Sequence, residues 1–472
     1  MNILFASSEA YPFFTSGKLG DMIGSLAVAM RRQGTDVRVV LPLYGDMRSE
    51  WQGQLRYVTN FNVPVSWRTQ YCGLFELVRQ GVVYYFLDNE YYFKRQGFYG
   101  FHDDGERFSF FSRAVLETVS RLDYSPRIIH CNDWQTALIP VYLKLYYRHL
   151  DKYAPIRTVF TIHDIQYQGK YSPEILESTL GIGRDNFHLV EYDGIVNYMK
   201  GAVENADLIS VVSPGYAEEI LDPWYGCGLD PFLRLRKQKI RGILSGIDRD
   251  EYNPATDAYI AAQYDADSFE TGKALCKEGL QSIFGLAKQD RPLIGMVIRF
   301  ESHKGLDLLV HAAEEILGGG MQLAMIGYGG GFYEQFFSEL AVRWNGRCAV
   351  RFGFLPELAR LVYSGSDMFL MPSKFEPCGL AQMIALRYGS IPIVRQTGGL
   401  RDTIAEGREG NGFVFASYSA MELRDACFRA REAWRDKEAW NALIRRAMLC
   451  DYGWDQSSKL YLDLYNDATQ CP

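Results

Sequence analysis

Two short polar segments in the C-terminal half of the chain carry residue types that can bind a polar ligand. They contain Glu376, Cys378, Gly379, Thr397, Gly398 and Gly399. Each segment follows a predicted strand, at 368–371 and 391–394, and each precedes a predicted helix. Because parallel strands end at the same edge of a sheet, we expect both segments to open onto one crevice, where a carboxylate and backbone N–H groups can bind hydroxyls and an anion.

Other predicted strands of this half end in charged, glycine or aromatic residues. These strands are predicted at 293–298, 322–326 and 351–354. The first leads to Arg299, with Lys304 five residues later, and the second leads to Gly327 and Tyr328. The third ends at Phe354. Residues at the carboxyl ends of parallel strands line the ligand crevice of a doubly wound sheet, so all five are candidates for ligand contact.

The N-terminal half repeats this pattern. Its strands are predicted at 2–7, 36–41, 128–130, 158–162 and 208–212. The loop after the first strand carries Gly17, Lys18 and Asp21 at the start of a helix, which is a usual position for binding an anion. Asp133 follows the third strand and His163 follows the fourth. We therefore expect these residues to line a second crevice edge.

Strands that alternate with helices predict an α/β chain with doubly wound parallel sheets. Near residue 240 the pattern changes to a polar stretch without helical periodicity, which extends to about residue 265. We therefore predict two Rossmann-like domains, residues 1–241 and 242–453, that face each other across a cleft. The C-terminal segment, 454–472, is predicted to form an amphipathic helix that packs back on the N-terminal domain.

The composition argues against several classes of protein. Fifty basic and 57 acidic residues give a net charge of −7, and no basic cluster is interleaved with aromatics, which argues against a nucleic-acid binder. No run of eighteen apolar residues is present, which argues against a membrane protein. Nine scattered cysteines without a C-x-x-C pair fit reduced thiols in a cytoplasmic protein. We expect no metal site and no cofactor, and the oligomeric state is not predicted.

Six motifs, in one order and spacing, resemble those of the bacterial glycogen synthases and plant starch synthases. They are F-L-D-N-E-Y-Y-F-K-R from Phe86, D-D-G-E-R-F from Asp103, T-I-H-D-I-Q-Y-Q-G from Thr161, R-F-E-S-H-K-G-L-D from Arg299, F-E-P-C-G-L from Phe375 and T-G-G-L-R-D-T from Thr397. This resemblance runs nearly end to end and implies a retaining glycosyltransferase of the two-domain GT-B architecture. It also implies a nucleotide-sugar donor, ADP-glucose, and an α-1,4-glucan acceptor that is extended at its non-reducing end.

The family pattern implies a role for each matched residue. Arg299 and Lys304 would hold the leaving diphosphate, because fixed positive charge suits a position where negative charge grows. Glu376 and His163 would lie beside the reacting glucose. The backbone of the glycine-containing segments would bind hydroxyls and phosphate, through Cys378, Gly379, Thr397, Gly398 and Gly399. The departing phosphate would accept the acceptor's proton on the same face, so configuration is retained without a protein nucleophile.

The chain departs from the family pattern mainly on the N-terminal side. The family usually has Lys-Thr-Gly-Gly-Leu-Gly-Asp in its first loop, whereas this chain has Thr15 at the position of the lysine and Lys18 at the position of the second glycine. Ser245 stands where the family generally has Asn, and Gln135 and Asp164 also differ. The motifs of the C-terminal half are intact.

These departures leave three alternatives open, of which we favour the first. In the first, Lys18 supplies the missing charge, because its long stem carries a flexible point charge. In the second, the chain is a weak or inactive paralog that binds glucan or regulates an active synthase. In the third, the donor differs, since Tyr328 and Phe354 could stack on either adenine or uracil. Plainer roles also fit single residues, such as a core histidine for His163 and a helix cap for Glu376.

Overall fold

The computed structural model of the chain describes residues 1–471, which form two compact units. The N-terminal unit consists of residues 1–246 together with the segment that begins at Trp454, and the C-terminal unit is Ile247–Gly453. Each unit has its own parallel sheet with helices on its faces, so the predicted α/β architecture is confirmed.

The division between the units lies after Gly246, five residues beyond the predicted position at 241. Residues 240–242 form the edge strand of the N-terminal sheet. The chain then stays bound to that sheet, because the N–H of Ile243 donates to the carbonyl of Val211 at 2.9 Å and the N–H of Ser245 donates to Val212 at 3.3 Å. Backbone pairing therefore carries the N-terminal unit past the point where the hydrophobic pattern changes.

The strands and helices alternate along the chain as follows. The strands are β1 (Asn2–Ala6), β2 (Asp36–Pro42), β3 (Arg56–Val65), β4 (Arg68–Arg79), β5 (Val82–Asp88), β6 (Ile128–Asn132), β7 (Arg157–Ile162), β8 (Lys170–Tyr171), β9 (Glu191–Tyr192), β10 (Ile195–Asn197), β11 (Leu208–Val211), β12 (Ile240–Gly242), β13 (Leu293–Arg299), β14 (Gln322–Tyr328), β15 (Cys348–Phe352), β16 (Met368–Met371), β17 (Ile391–Arg395) and β18 (Phe413–Phe415). The α-helices are α1 (Lys18–Arg32), α2 (Ser49–Gln52), α3 (Glu90–Phe93), α4 (Asp104–Arg121), α5 (Leu138–Tyr142), α6 (Tyr198–Asn205), α7 (Pro214–Glu219), α8 (Asp230–Leu235), α9 (Phe269–Phe284), α10 (Leu306–Gly318), α11 (Gly331–Arg343), α12 (Pro356–Gly365), α13 (Ala381–Arg387), α14 (Gly398–Thr403), α15 (Ala420–Arg435), α16 (Lys437–Leu449) and α17 (Trp454–Gln470).

The main sheet of the N-terminal unit has, among the described residues, nine strands in the order β12-β11-β7-β6-β1-β2-β5-β4-β3. The strands from β12 to β5 are parallel, and β4 and β3 continue the sheet as an antiparallel edge hairpin. The central strand β1 is an almost continuous apolar run with Ile3, Leu4 and Phe5 fully buried, as expected for a parallel strand covered on both faces. The strand order runs outward in opposite directions from β1 and β6, which makes their carboxyl ends a topological switch point.

The sheet of the C-terminal unit is parallel throughout, in the order β15-β14-β13-β16-β17-β18. Its switch point lies between β13 and β16, the two strands that precede the predicted basic and acidic site residues. The strand predicted at 351–354 is shifted, because β15 ends at Phe352 and Gly353 has a φ of 131°, which ends the extended run. Phe354 therefore lies in the loop beyond the strand.

The C-terminal helix α17 packs within the N-terminal unit. Gln33, at the end of α1, donates through Nε2 to Ser458 Oγ at 2.7 Å. The hydroxyl of Tyr465 lies 2.8 Å from Nδ1 of His130 on β6. These contacts attach the end of the chain to the unit in which the chain begins.

Three further observations concern the whole of residues 1–471. In this range, no helix combines the length and the apolar composition needed to cross a bilayer. Across the same residues, His, Cys, Asp and Glu side chains do not gather in threes as they would around a metal ion. All nine cysteines carry free thiols.

Candidate active site

A buried ion pair occupies the switch point of the C-terminal sheet. Lys304 Nζ donates to Glu376 Oε2 at 2.7 Å, and the Lys304 and Glu376 side chains are 11% and 2% exposed. Ser373 Oγ also donates to the same carboxylate oxygen, at 3.2 Å. The structure thus brings together two of the predicted catalytic residues, which lie 72 positions apart in the sequence. Glu376 therefore pairs with the Lys304 ammonium. The alternative role considered for Glu376, a helix cap, did not include such an ion pair.

Backbone contacts between two loops hold this pair in place. The N–H of Lys374 donates to the carbonyl of His303 at 2.8 Å, which joins the loop after β16 to the loop after β13. The buried guanidinium of Arg395, at the end of β17, donates through Nε to the carbonyl of Ser373 at 2.9 Å and through Nη2 to that of Lys374 at 2.5 Å. Three neighbouring strand ends therefore fix the position of one carboxylate.

Glycines permit the close approach of these loops. Gly305 has a φ of 73°, and a Cβ there would lie 2.0 Å from the carbonyl oxygen of Pro372. Gly398, with a φ of 43°, would place a Cβ 2.1 Å from the carbonyl oxygen of Glu376. Under about 3 Å no Cβ fits without a shift of backbone. These glycines are thus required by packing as well as by conformation.

The second glycine of the predicted pair has a different role from the one expected. The N–H of Gly399 donates to the carbonyls of Glu376 and Pro377, both at 3.2 Å, so this donor binds the protein's own backbone instead of facing the crevice. Nearby, the Gln382 amide donates to the carbonyl of Gly379 at 2.8 Å and to that of Cys378 at 3.1 Å. Cys378 and Thr397 are buried in this tightly hydrogen-bonded turn.

Three of the remaining candidates of this unit, Arg299, Tyr328 and Phe354, are exposed. Arg299 ends β13 with its side chain 49% exposed, and its Nη1 lies 3.3 Å from Glu301 Oε1. Tyr328 and Phe354 form an exposed edge-to-face aromatic pair, with ring centroids 6.4 Å apart and an interplanar angle of 83°. Gly327 allows the ring of Phe300 to pack on β14, because a Cβ there would lie 2.2 Å from that ring. Exposed cationic and aromatic groups at strand ends suit a nucleotide.

In the N-terminal unit, a buried glutamate that was not predicted from the sequence anchors the first loop. The Glu9 carboxylate, beyond the end of β1, accepts hydrogen bonds from the N–H of Ser16, from Ser16 Oγ at 2.7 Å and from the Tyr99 hydroxyl at 2.5 Å. Desolvation raises the pKa of Glu9, and these hydrogen bonds oppose the rise. An acidic residue three positions after a buried strand was the signal that could have revealed it.

This anchored loop leads into helix α1. Gly17 precedes the helix and is exposed, with open space where a Cβ would lie, and Asp21 lies in the first helical turn. Lys18 is the first helical residue, so its backbone conformation is one that any L-residue adopts. A glycine is consequently not needed at this position for conformational reasons. The later Gly20 is closely packed, since a Cβ there would lie 2.7 Å from Thr15 Oγ1.

His163 and Asp133 lie together at the ends of β7 and β6. The N–H of His163 donates to Asp133 Oδ1 at 2.7 Å, and the His163 ring nitrogen Nε2 lies 3.0 Å from Asn132 Oδ1. Asp133 has a φ of 55°, a strained value for a residue with a side chain, and such strain clusters at functional sites. Desolvation lowers the pKa of His163 to about 3 and raises the pKa of Asp133 well above its usual value. The imidazole is therefore neutral at physiological pH.

Ser245 is buried on the segment after β12, where its N–H bonds to the sheet as described above. The predicted site residues thus form two groups. One group follows β1, β6, β7 and β12 in the N-terminal unit, and the other follows the strands from β13 to β17 in the C-terminal unit. Each group includes residues at the switch point of its own sheet, where doubly wound folds bind their ligands.

Comparison with known proteins relates both units to one enzyme family. Residues 2–235 match the family model of the starch synthase catalytic domain, and residues 281–447 match that of glycosyl transferases group 1. The chain is 47% identical to a glycogen synthase of Desulforamulus reducens, over 98% of each chain. It is also 47% identical to a glycogen synthase of Clostridium botulinum, over 99% of this chain and all of the relative.

Solved structures agree with the sequence relatives. The catalytic domain of starch synthase IV from Arabidopsis thaliana, solved bound to ADP and acarbose, is 32% identical and has a TM-score of 0.91 over 99% of each chain. A sucrose-phosphate synthase from Thermosynechococcus elongatus, 17% identical with a TM-score of 0.62 over 99% of this chain and 98% of that one, shares the fold. The resemblance seen in the six motifs is thereby confirmed. The chain belongs to the bacterial glycogen synthase and plant starch synthase family, whose members are retaining glycosyltransferases of the GT-B fold.

Proposed function

We propose that this chain is a glycogen synthase that transfers glucose from ADP-glucose to the non-reducing end of an α-1,4-glucan with retention of configuration. The observation that carries the proposal is the buried Lys304–Glu376 pair at the switch point of the C-terminal sheet, in a chain whose relatives are glycogen synthases along their whole length. The choice of ADP draws on the solved starch synthase IV, which is bound to ADP and acarbose.

The C-terminal unit would hold the donor. Arg299 and Lys304 would bind the diphosphate, where negative charge grows as the glycosidic bond breaks. The contact with Glu376 keeps the Lys304 ammonium in one place before the reaction, so little reorganisation is needed when the charge develops. The aromatic pair Tyr328 and Phe354 would stack on the adenine.

The reaction would retain configuration without a protein nucleophile. The bond between C1 of glucose and the phosphate oxygen breaks, and its electron pair leaves with ADP. The acceptor's 4-hydroxyl oxygen forms the new bond to C1 on the same face, and its proton passes to the departing phosphate. In this scheme no cofactor is required beyond the donor itself, and positioning and electrostatics supply most of the acceleration.

The N-terminal unit would contribute groups that orient the sugar and the acceptor. His163 is neutral near pH 7, so it would act as a hydrogen-bonding group beside the glucose instead of a proton donor. Lys18 would supply positive charge near the phosphate. The other polar contacts from this unit would come from Gly17, Asp21, Asp133 and Ser245.

The proposal is tested by removing a charge that the fold does not need. Arg299→Ala should lower kcat/KM for ADP-glucose by about a hundredfold, because a contact to the developing charge is lost. Arg343→Ala is a matched control, since Arg343 is 50% exposed and also pairs with a glutamate, Glu314, at 2.9 Å. This control should leave kcat/KM within about twofold of the wild type, as expected for a surface pair. Equal rates for Arg299→Ala and Arg343→Ala would contradict the proposed phosphate contact.

A further inference from the structure

The polar environment of His163 is built from one strand end. Asn132, the last residue of β6, is fully buried, and its Oδ1 lies 3.0 Å from Nε2 of the His163 ring. The next residue, Asp133, accepts the backbone N–H of His163 at 2.7 Å. Asn132 thus holds the ring of His163, and Asp133 holds its backbone. Two adjacent residues therefore fix both parts of one candidate catalytic residue.

The orientation of the Asn132 amide is determined by its other contacts. Its Nδ2 donates to the backbone carbonyls of Ala6 and His130, both at 3.2 Å. A carbonyl oxygen only accepts hydrogen bonds, so the amide nitrogen must face these two groups. The Asn132 oxygen consequently faces the imidazole, and an acceptor at this place requires a proton on Nε2 of His163.

The other ring nitrogen of His163, Nδ1, is a hydrogen-bond acceptor. The imidazole is neutral, because desolvation lowers its pKa to about 3, and a neutral ring with a proton on Nε2 has an unprotonated Nδ1. Among residues 1–471 no group forms a hydrogen bond with this Nδ1. A ligand hydroxyl can donate to it.

We propose that Asn132 is a positioning residue, which holds His163 in the Nε2–H tautomer so that Nδ1 accepts a hydrogen bond from a hydroxyl of the donor sugar. The proposal rests on the proposed function, because it assigns His163 to the sugar of the donor. It adds a residue that does not itself touch the substrate. The hydrogen bond that orients a histidine sets which of its nitrogens can act, so the identity of residue 132 should affect the chemistry of residue 163.

Other titratable groups act on His163 or on the adjacent Asp133, and they do not replace this control. They are His130, Asp133, Asp164, Glu9 and Tyr216. Burial lowers the pKa of His130 to about 3, with a smaller contribution from His163, so His130 is neutral as well. Burial raises the pKa of Asp133 well above its usual value, which makes it a weak source of negative charge. The tautomer of His163 is therefore set mainly by the direct contact with Asn132.

The test combines ring-nitrogen NMR with steady-state kinetics on the full chain. In protein labelled with 15N-histidine, the His163 resonances are assigned from their loss in His163→Gln. The wild type should show a protonated Nε2 and an unprotonated Nδ1. In Asn132→Ala the Nε2–H loses its acceptor, so the spectrum should show the other tautomer or a mixture of the two. In that variant kcat should fall about a hundredfold, as for a misplaced catalytic group, while KM for ADP-glucose stays within about threefold.

Asn132→Asp should give a pH signature that a purely structural role would not. A buried carboxyl has a raised pKa, and in its protonated form it can donate to one backbone carbonyl and accept from His163, as the amide does. Activity should therefore approach that of the wild type below this pKa. Above it, the carboxylate would face two carbonyl oxygens and favour a charged imidazole, so kcat should fall with an ionisation that the wild type lacks.

Asn197→Ala is the control for loss of a buried asparagine. Asn197 is fully buried and makes two hydrogen bonds through its side chain, to Gln168 Oε1 at 2.7 Å and from the N–H of Lys200 at 3.0 Å, neither of which involves His163. This variant should leave the tautomer unchanged. An unchanged His163 spectrum in Asn132→Ala would overturn the proposal, even if activity fell. A wild type without glucosyl transfer, but with the expected tautomer shift in Asn132→Ala, would refute the proposed function alone.

Discussion

The Lys304 and Glu376 side chains neutralise each other in a buried setting, and this has a measurable consequence. Replacing one member of a buried pair leaves a charge without its partner, whereas replacing both removes the problem. Lys304→Met should therefore lower the free energy of unfolding by about 3–5 kcal/mol. The double variant Lys304→Met with Glu376→Gln should recover most of this stability. Urea unfolding of both variants measures the difference.

The double variant also separates stability from activity. It should stay inactive with ADP-glucose although it is folded, because the cation that would hold the diphosphate is gone. The control is Lys94→Met, which breaks a Lys94–Glu90 pair of 2.6 Å whose side chains are 63% and 68% exposed. This variant should lower the free energy of unfolding by less than about 0.5 kcal/mol. A double variant that is both stable and fully active would show that the pair has no role in transfer.

The position of positive charge in the first loop gives a second prediction for a single residue. Lys18 starts α1 with an ordinary helical backbone, and Thr15 lies three residues earlier in the loop that Glu9 anchors. Lys18→Met keeps the stem and removes the charge, so kcat should fall about a hundredfold, equivalent to roughly 3 kcal/mol. Adding Thr15→Lys to that variant should restore most of the rate, because a lysine side chain can reach a phosphate without strict geometry.

Steady-state kinetics of the single and double variants decide between the alternatives for Lys18. Thr15→Lys alone, in the presence of Lys18, serves as the control for a change in the loop itself. If Lys18→Met has the activity of the wild type, the charge in this loop is not used. If it is inactive and Thr15→Lys does not restore it, Lys18 acts in a way that depends on its own position.

The site residues at strand ends could largely be predicted from the sequence, whereas their contacts could not. Glu376, Lys304, His163 and Asp133 could be identified because charged and polar residues in the short segments that follow apolar runs are conspicuous. The partner of each depends on loops that meet in space, which no local pattern encodes. Glu9 lies in such a segment as well, but its role depends on contacts such as the one with Tyr99, which joins positions 90 residues apart.

The turn at Gly305 lies between the end of β13 and the start of α10, and it packs against the end of β16. A Cβ at Gly305 would meet the Pro372 carbonyl, so Gly305→Ala combines conformational strain with a clash. Gly285→Ala provides the matched control, because Gly285 has nearly the same φ, 72°, and open space around the Cβ position.

The two alanine variants should therefore differ in both stability and activity. Gly285→Ala should lower the free energy of unfolding by about 1–2 kcal/mol, because a residue with a side chain is strained in the left-handed conformation. Gly305→Ala should cost about 1–3 kcal/mol more, as overpacking does, and it should also lower kcat by displacing Lys304 from Glu376. Urea unfolding and transfer kinetics measure the two effects. Equal losses in the two variants would mean that the loop adapts to the added carbon.

Elements of the parallel sheets could be predicted well because buried parallel strands are short apolar runs. The strand expected at 368–371 has the same bounds as β16, and the strand expected at 391–394 is one residue shorter than β17. The strand expected at 351–354 was misplaced, since the apolar residues of Cys348–Phe352 lie earlier and Phe354 is an exposed aromatic residue. The residue type alone does not show whether an aromatic side chain is exposed or buried.

For the protein as a whole, the sequence analysis placed the boundary between two Rossmann-like units after residue 241, and the structure divides after Gly246. The hydrophobic pattern changes near residue 240, whereas the backbone of the N-terminal unit remains hydrogen-bonded to its sheet through Ser245. Pairing at an edge strand depends on the neighbouring strand, here β11, so composition alone cannot locate it. The family could be recognised because six motifs preserve their order across both units.

Elongation of α-1,4-glucan from ADP-glucose by this protein can be tested in a single labelling experiment. Radiolabelled ADP-glucose is incubated with the wild-type chain and glycogen, and the labelled polymer is then digested with β-amylase, which releases maltose from the non-reducing ends of α-1,4 chains. We expect incorporation of label and its release as maltose, with a lower rate from UDP-glucose. Glycogen binding without incorporation from ADP-glucose would contradict the proposed function.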